Sequence, residues 1–442
     1  MTKILLLEVN EICHDLIEHF SQQNLMPNMA RLFAKSHYVK TLADAEPPAL
    51  EPWIQWYSAH TGLTYATHQV FRLTEGARAG HKDIWEALAD KGYKVMNFGS
   101  MNCKPCPEGH FYLPDPWNKE KANPAEMQIF ADFIAKNIQE YTNDRPVFGP
   151  EDYLKIVAFL LKNGLRLCTI WQILRQLLSE KLNGQNSYKR VFILNRLYFD
   201  VFSYHLKRRR PDFATFFTNS VAHIQHAYWR DFAPEKFAFT GHDKSKSEAM
   251  QAAYTDIDKM VGKIMQLAES LNMQIILASA LSQQPYLKEE DSGGRLYYRP
   301  KDVDKLLKII DIAPASYEPV MTHQYILRFN QKEDEERAKD ILSQTTLTVD
   351  GNTSILLRHM ESEGGFLFDC APRTLVPDNA TIKINQFEGN FYDIFYKIDE
   401  VKSGFHHPEG ILLIDKNLRH IPDEVEVSIE RLYHIIDENF PD

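Results

Sequence analysis

The sequence predicts an α/β protein: a doubly wound, mostly parallel sheet carrying a helical insertion and a small α+β insertion. Three observations lead there. Short apolar runs such as KILLLEV and FATFFT end abruptly in polar residues, as buried parallel strands do. Segments with an apolar stripe at helical spacing alternate with them. The chain is also 442 residues long, too long for one core of ordinary size.

The elements follow in order. Residues 3–9 make the first strand. Residues 11–35 are helical, with Leu16, Phe20, Leu25, Met29, Leu32 and Phe33 on one recurring face and Pro27 opening a second helix. Residues 38–42 make a strand. Residues 83–91 form a helix that stops at Gly92, before a strand over 93–98. A strand over 213–218, a long helix over 250–271 and a strand over 274–279 continue the rhythm. Two regions break it. From 123 to 206 the chain reads as helical, and from 316 to 383 as a strand, a charged helix and further short strands. The expected parts are therefore core at 1–122, 207–315 and 384–442, with insertions at 123–206 and 316–383.

Composition narrows the function. The net charge of −10 argues against general affinity for nucleic acid or anionic membrane, and Lys207-Arg208-Arg209-Arg210 reads as a solvated turn. Five cysteines make no disulfide framework, and Cys103 and Cys106 read as two loop thiols. No apolar run reaches the roughly 18 residues of a membrane span, so a cytoplasmic protein is expected. Residues 153–182 form a cationic amphipathic stretch that could lie on a membrane surface, although packing on the sheet is the commoner arrangement.

In doubly wound sheets the ligand crevice lies beyond the carboxyl ends of the strands. Glu8, Asn219 and Ser279 fall at or just past such ends. VAHIQHAYW adds His223, His226 and Trp229 after one strand, and SGFHHPEG adds His406 and His407 before another. The segment PPALEPWIQWYSAHTGLTYATHQVF is the densest polar and aromatic stretch. It offers Glu51, Trp53, Gln55 and His68 as candidates, or else a proline-broken turn leading into a helix with buried tryptophans.

Together these segments resemble the alkaline-phosphatase-like superfamily, in particular its type I phosphodiesterase/nucleotide pyrophosphatase branch. That resemblance implies a first strand ending in a metal-binding Asp and a nucleophilic Thr or Ser in a T-x-P-x-W-x-S-x-x-T-G-x-x-P-x-x-H-G segment. It further implies metal ligands in T-D-x-x-x-H, in S-D-H-G and in a late H-x-x-x-G. Glu8 stands for the first Asp, and Trp56, Ser58, Thr61, Gly62 and His68 fit the nucleophile segment. His226 and His406 fit metal histidines. Departures are equally plain. Glu51 or Pro52 occupies the nucleophile position, Ala222 replaces an acid, and Ser279-Ala280-Leu281-Ser282 replaces S-D-H-G.

A dinuclear site needs about six protein ligands, with carboxylates to neutralise the ions, so two metals are not expected. The resemblance with these losses implies at most one Zn2+ or Mn2+ on Glu8, His226 and His406. Asn10, Trp53, Gln55, His68, Asn219, His223, Trp229 and His407 would be additional ligands or substrate contacts. The expected activity is on a phosphate or sulfate ester of phosphodiester or nucleotide-sugar type, with Glu51 as the catalytic group. The alternative is a member that binds a phosphorylated or sugar ligand, or transfers a group, in the same crevice.

Overall fold

The computed structural model describes residues 2–442 apart from 45–49, 140–147, 183, 239–242, 293, 321–322, 363 and 399–401. The proline pair Pro47-Pro48 therefore lies outside the described residues. The chain opens with β1 (Ile4–Val9), α1 (His14–Gln22), α2 (Pro27–Lys35), β2 (Ser36–Leu42), α3 (Pro52–Thr61), α4 (Tyr65–His68), α5 (Ile84–Asp90), β3 (Val95–Phe98) and β4 (Phe111–Leu113). Four insertion helices follow: α6 (Gln128–Gln139), α7 (Pro150–Lys162), α8 (Leu167–Leu182) and α9 (Arg190–Arg209). The core resumes with β5 (Phe213–Thr218), α10 (Ser220–Phe232), α11 (Ala249–Leu271), β6 (Gln274–Ser279) and β7 (Ser282–Pro285).

The second insertion is approached through β8 (Tyr298–Pro300) and α12 (Val303–Ile310). It contains β9 (Ser316–Val320), β10 (Gln324–Arg328), α13 (Lys332–Ser343), β11 (Thr346–Val349), β12 (Asn352–Ile355), β13 (Leu357–Ser362), β14 (Gly365–Cys370), β15 (Thr381–Ile384) and β16 (Phe387–Asn390). The chain returns through α14 (Phe391–Ile394) and β17 (Phe395–Lys397). It then closes with β18 (Gly404–His407), β19 (Glu409–Asp415), β20 (Glu426–Ser428) and α15 (Arg431–Glu438).

The main sheet has eight strands in the order β20-β2-β19-β6-β1-β5-β3-β4. All its pairings are parallel except those of β19, which runs antiparallel to both β2 and β6. Alternation along β1 sends Leu5, Leu7 and Val9 into a core with α1, α2 and α9–α11, while Ile4 and Leu6 face α3, α5 and α15. Both faces are thus covered, which is why β1 reads as a nearly continuous apolar run. β1 lies between β5 and β6, with Val9 opposite Thr218 and Glu8 opposite Ala278. Their carboxyl ends consequently share one edge of the sheet.

A third apolar cluster belongs to the second insertion and draws in Leu296, Tyr298 and Leu306 before it and Phe391 and Phe395 after it. Its core extends on both sides of the expected 316–383. The run at 153–182 is two helices rather than one, parted at Gly164, whose φ of +98° suits glycine. His406 and His407, which precede a strand in sequence, themselves lie in β18, which pairs antiparallel with β7. The basic run 207–210 closes α9, where its charges complement the helix carbonyl end.

Candidate active site

The turn after β1 fixes the site. Asn10 and Glu11 leave the sheet, and Glu11 adopts the left-handed conformation at φ 58°. For a non-glycine residue this costs about 1 kcal/mol and needs surrounding contacts to hold it. Those contacts are present. The Glu11 carbonyl accepts from Gln225 Nε2 at 2.7 Å, and its carboxylate accepts from Asn10 Nδ2 at 2.9 Å and from Gln283 Nε2. The Glu11 side chain is buried just past the end of β1.

Two histidines meet it there. His226, on α10 directly after β5, brings Nε2 to 3.1 Å from Glu11 Oε2. His406, on β18, brings Nε2 to 3.7 Å from the same oxygen. Each ring is held through its other nitrogen: His226 Nδ1 donates to Gly404 O at 3.3 Å and His406 Nδ1 to Leu50 O at 2.8 Å. A carbonyl can only accept, so in the neutral ring both Nε2 lone pairs face the carboxylate. Gly404 makes this approach feasible, because a Cβ there would meet Gln283 Oε1 at 2.2 Å and Gln225 O at 2.6 Å.

Charge follows from the packing. Burial would raise the Glu11 carboxyl, but His226 and His406 outweigh it and hold its pKa at about 2. Burial lowers His406 to about 4, so it is neutral at pH 7. Burial acts the same way on His226, yet the Glu11 charge and hydrogen bond leave its pKa raised. One ligand atom from each of the three residues lies within 4.8 Å of the others, with imidazole and carboxylate chemistry that suits Zn2+ or Mn2+. Backbone carbonyls on the outer nitrogens are the usual support for metal histidines. The donor set fits one ion.

Glu51 lies alongside. It is the residue before α3, yet its side chain does not cap that helix, and its Oε2 is 3.4 Å from His406 Nδ1. Burial and Glu11 push its pKa up to about 7 against the opposing charges of Lys402 and His226. The Lys402 ammonium sits 5.1 Å from the Tyr286 ring centroid and 5.0 Å from that of Phe405. Burial lowers its pKa, opposed by Glu51.

The remaining candidates separate clearly. Glu8 does not join His226 and His406. It faces the opposite side of the sheet, where its oxygens meet His60 Nε2 and Ser100 Oγ, each at 2.6 Å. His68 is tied on both nitrogens, to Ser58 Oγ at 3.0 Å and to the Val70 amide at 2.9 Å. Gln55 is buried and accepts from the Asp44 amide, and Trp53 donates to Phe71 O. These three hold the α3 segment in place. Asn10 donates to Asn219 Oδ1 at 2.7 Å and accepts from Trp56 Nε1 at 2.8 Å, joining β1, α3 and the start of α10. His223 lies one turn before His226 on α10, Trp229 packs its Cδ1 against Gly404, and His407 Nδ1 accepts from the Glu409 amide. Sequence reading missed Glu11, Gln283 and Lys402. The available signal was a second acid three residues after Glu8, and a lysine just ahead of the histidine pair.

The family model described as "Type I phosphodiesterase / nucleotide pyrophosphatase" matches residues 6–295. The chain belongs to the type I phosphodiesterase/nucleotide pyrophosphatase family. A search of curated proteins finds no match. Among solved structures, phosphonoacetate hydrolase from Sinorhizobium meliloti 1021, in complex with phosphonoformate, is 12% identical, with a TM-score of 0.44 over 100% of this chain and 96% of that one. Murine ectonucleotide pyrophosphatase/phosphodiesterase 5, an inactive form in complex with AMP, is 10% identical, with a TM-score of 0.41 over 100% and 95%. Among the described residues, no helix is long and apolar enough to cross a membrane. Within the type I phosphodiesterase frame, Ala222 faces the site through its carbonyl, which accepts from the same Gln283 amide that binds Glu11. Ala280 and Leu281, after β6, are wholly buried and apolar.

Proposed function

We propose that this type I phosphodiesterase family member cleaves or transfers a phosphorus ester of the phosphodiester or nucleotide-sugar class. Its site would use one metal ion on Glu11, His226 and His406, with Glu51 as general base. The observation that carries this reading is the convergence of two carbonyl-anchored histidines on one buried carboxylate, with a second carboxylate of raised pKa beside them. Glu11 supplies, from the turn after β1, the acid that Ala222 lacks one helical turn before His226.

Glu11, His226 and His406 would hold the ion, whose charge when bound would polarise a phosphoryl oxygen. Glu51, near pH 7, takes the proton from the attacking water or hydroxyl at a carboxylate oxygen. A P–O bond to the attacking oxygen forms as the P–O bond to the leaving group breaks, and the leaving oxygen carries away the electron pair. The Lys402 ammonium adds positive charge on the Glu51 side, which complements a phosphate diester monoanion. Ala280 and Leu281 offer no ligand for a second ion.

Plasma mass spectrometry of the tag-free protein tests the metal. About one equivalent of zinc or manganese is expected, lost in the His226→Ala, His406→Ala double variant. Hydrolysis of bis(p-nitrophenyl) phosphate tests the base, with Glu51→Gln lowering kcat by about 10²–10⁴-fold while the fold persists. No metal, together with no thermal stabilisation by added Zn2+, sinks the reading. The apolar Ala280-Leu281 strand end favours the second reading, a crevice that binds a phosphorylated or sugar ligand without turnover. In that case Glu51→Gln changes affinity alone.

A further inference from the structure

We propose that α8, together with the adjoining α7, is a docking element for an anionic lipid surface. The inference stands apart from the phosphoester reading. Helix α8 has sixteen residues, and the buried one among them is Thr169. Ile173 packs against the core, but most of the helix's large apolar side chains point outward, including Trp171 and Leu174, each 60% exposed, and Leu178 at 59%. The spacing 171, 174, 178 is that of one helical face, so α8 carries an outward apolar stripe. On α7, Ile156, Phe159 and Leu160 pack inward as usual, yet Leu154, Val157 and Leu161 form a second exposed apolar stripe. Soluble surfaces rarely carry so many large apolar side chains in register unless something covers them.

Charge selects the covering surface. Within residues 150–182, Arg166 is paired with Asp200 and Glu180 with Arg190, which leaves Lys155, Lys162, Arg175 and Lys181 against Glu151 and Asp152, while the whole chain carries −10. A local cationic excess on an acidic protein complements anionic headgroups, whereas a second copy would bring the same cations against themselves. The Arg175 guanidinium lies 5.4 Å from the Trp171 ring centroid, joining the aromatic and basic features that favour a headgroup boundary. Neither helix can span a bilayer, so the mode is a helix lying in the interface.

Cys168 gives a direct probe, because it is exposed while the other four cysteines are buried. The full chain, labelled there with an environment-sensitive fluorophore, is mixed with vesicles of phosphatidylcholine alone or of phosphatidylcholine with phosphatidylglycerol. Blue-shifted emission and flotation with the anionic vesicles only are expected, weakening as salt is raised. Leu174→Glu with Leu178→Glu should cut flotation of the unlabelled protein by about tenfold or more, with the thermal melt unchanged because both side chains are exposed. Lys155→Glu with Lys162→Glu and Lys181→Glu should remove the preference for anionic lipid. Failure of the wild type to float overturns the proposal. So does a dimer in sedimentation that the leucine variants dissociate, which would assign the face to a second copy.

Discussion

His226 Nε2 stands 3.1 Å from Glu11 Oε2, joining the helix that follows β5 to the left-handed turn that follows β1. The two meet because β1 and β5 are parallel neighbours in register, so both chains leave the sheet at the same edge. His406 arrives from a strand on α10, and Glu51 from the start of α3.

Two acids three residues apart should behave oppositely. Glu11→Gln should abolish metal retention. Glu8→Gln should leave the metal content unchanged and cost about 1–3 kcal/mol of stability, because it weakens a buried pair with His60 and Ser100. Metal analysis and urea melts of both variants separate the roles. A Glu8→Gln protein that folds normally but holds no metal would return the ligand role to Glu8.

The pH profile should report Glu51. A base with a pKa of about 7 is active when deprotonated, so kcat/KM should rise as pH passes upward through about 7. The nearby Lys402 charge holds that value down. Lys402→Ala should therefore move the inflection to higher pH, and Lys402→Arg should largely restore it. An inflection indifferent to Lys402 would remove the residue from the site.

His68 should make stability pH-dependent. Burial lowers its pKa to about 4, below the unfolded value near 6.5. The unfolded chain therefore binds the extra proton first, and stability falls as pH drops from about 6.5 to 4. Allowing for screening by partial solvent access, the loss is about 1–2 kcal/mol. Urea melts across that range should show it, and His68→Gln should flatten that part of the curve.

Gly404→Ala tests the close packing of β18 on α10. The added methyl would press on Gln283, Gln225 and Trp229, costing about 1–3 kcal/mol and parting His406 from His226. Loss of metal with the secondary structure intact is the expected result by circular dichroism and metal analysis.

The strands of the core were legible because burial on both faces leaves an unmistakable mark in sequence. The runs at β1, β5 and β6 are mostly apolar and stop at polar residues, and the parallel α/β class follows from their alternation with helices. His226 and His406 were singled out by the resemblance to the type I phosphodiesterase pattern, one following a buried strand and the other preceding one. The insertions were visible as broken rhythm, but their cores were not, because the third cluster is assembled from strands and helices far apart in the chain.

Side-chain direction at the end of β1 was decided elsewhere. Residue types alone do not tell Glu8 from Glu11 as the acid of the crevice. Glu8 faces α3 because an imidazole 52 positions later and the Ser100 hydroxyl await it there. Glu11 turns toward the histidines because Gln225 holds the carbonyl of a left-handed backbone that the local sequence does not itself favour, while Gln283 holds the carboxylate. The sequence by itself determined the sheet and its carboxyl edge, since these depend on local patterns of burial. Only the tertiary structure decided the carboxylates, because a buried charge settles where distant residues can pair and hydrogen-bond with it.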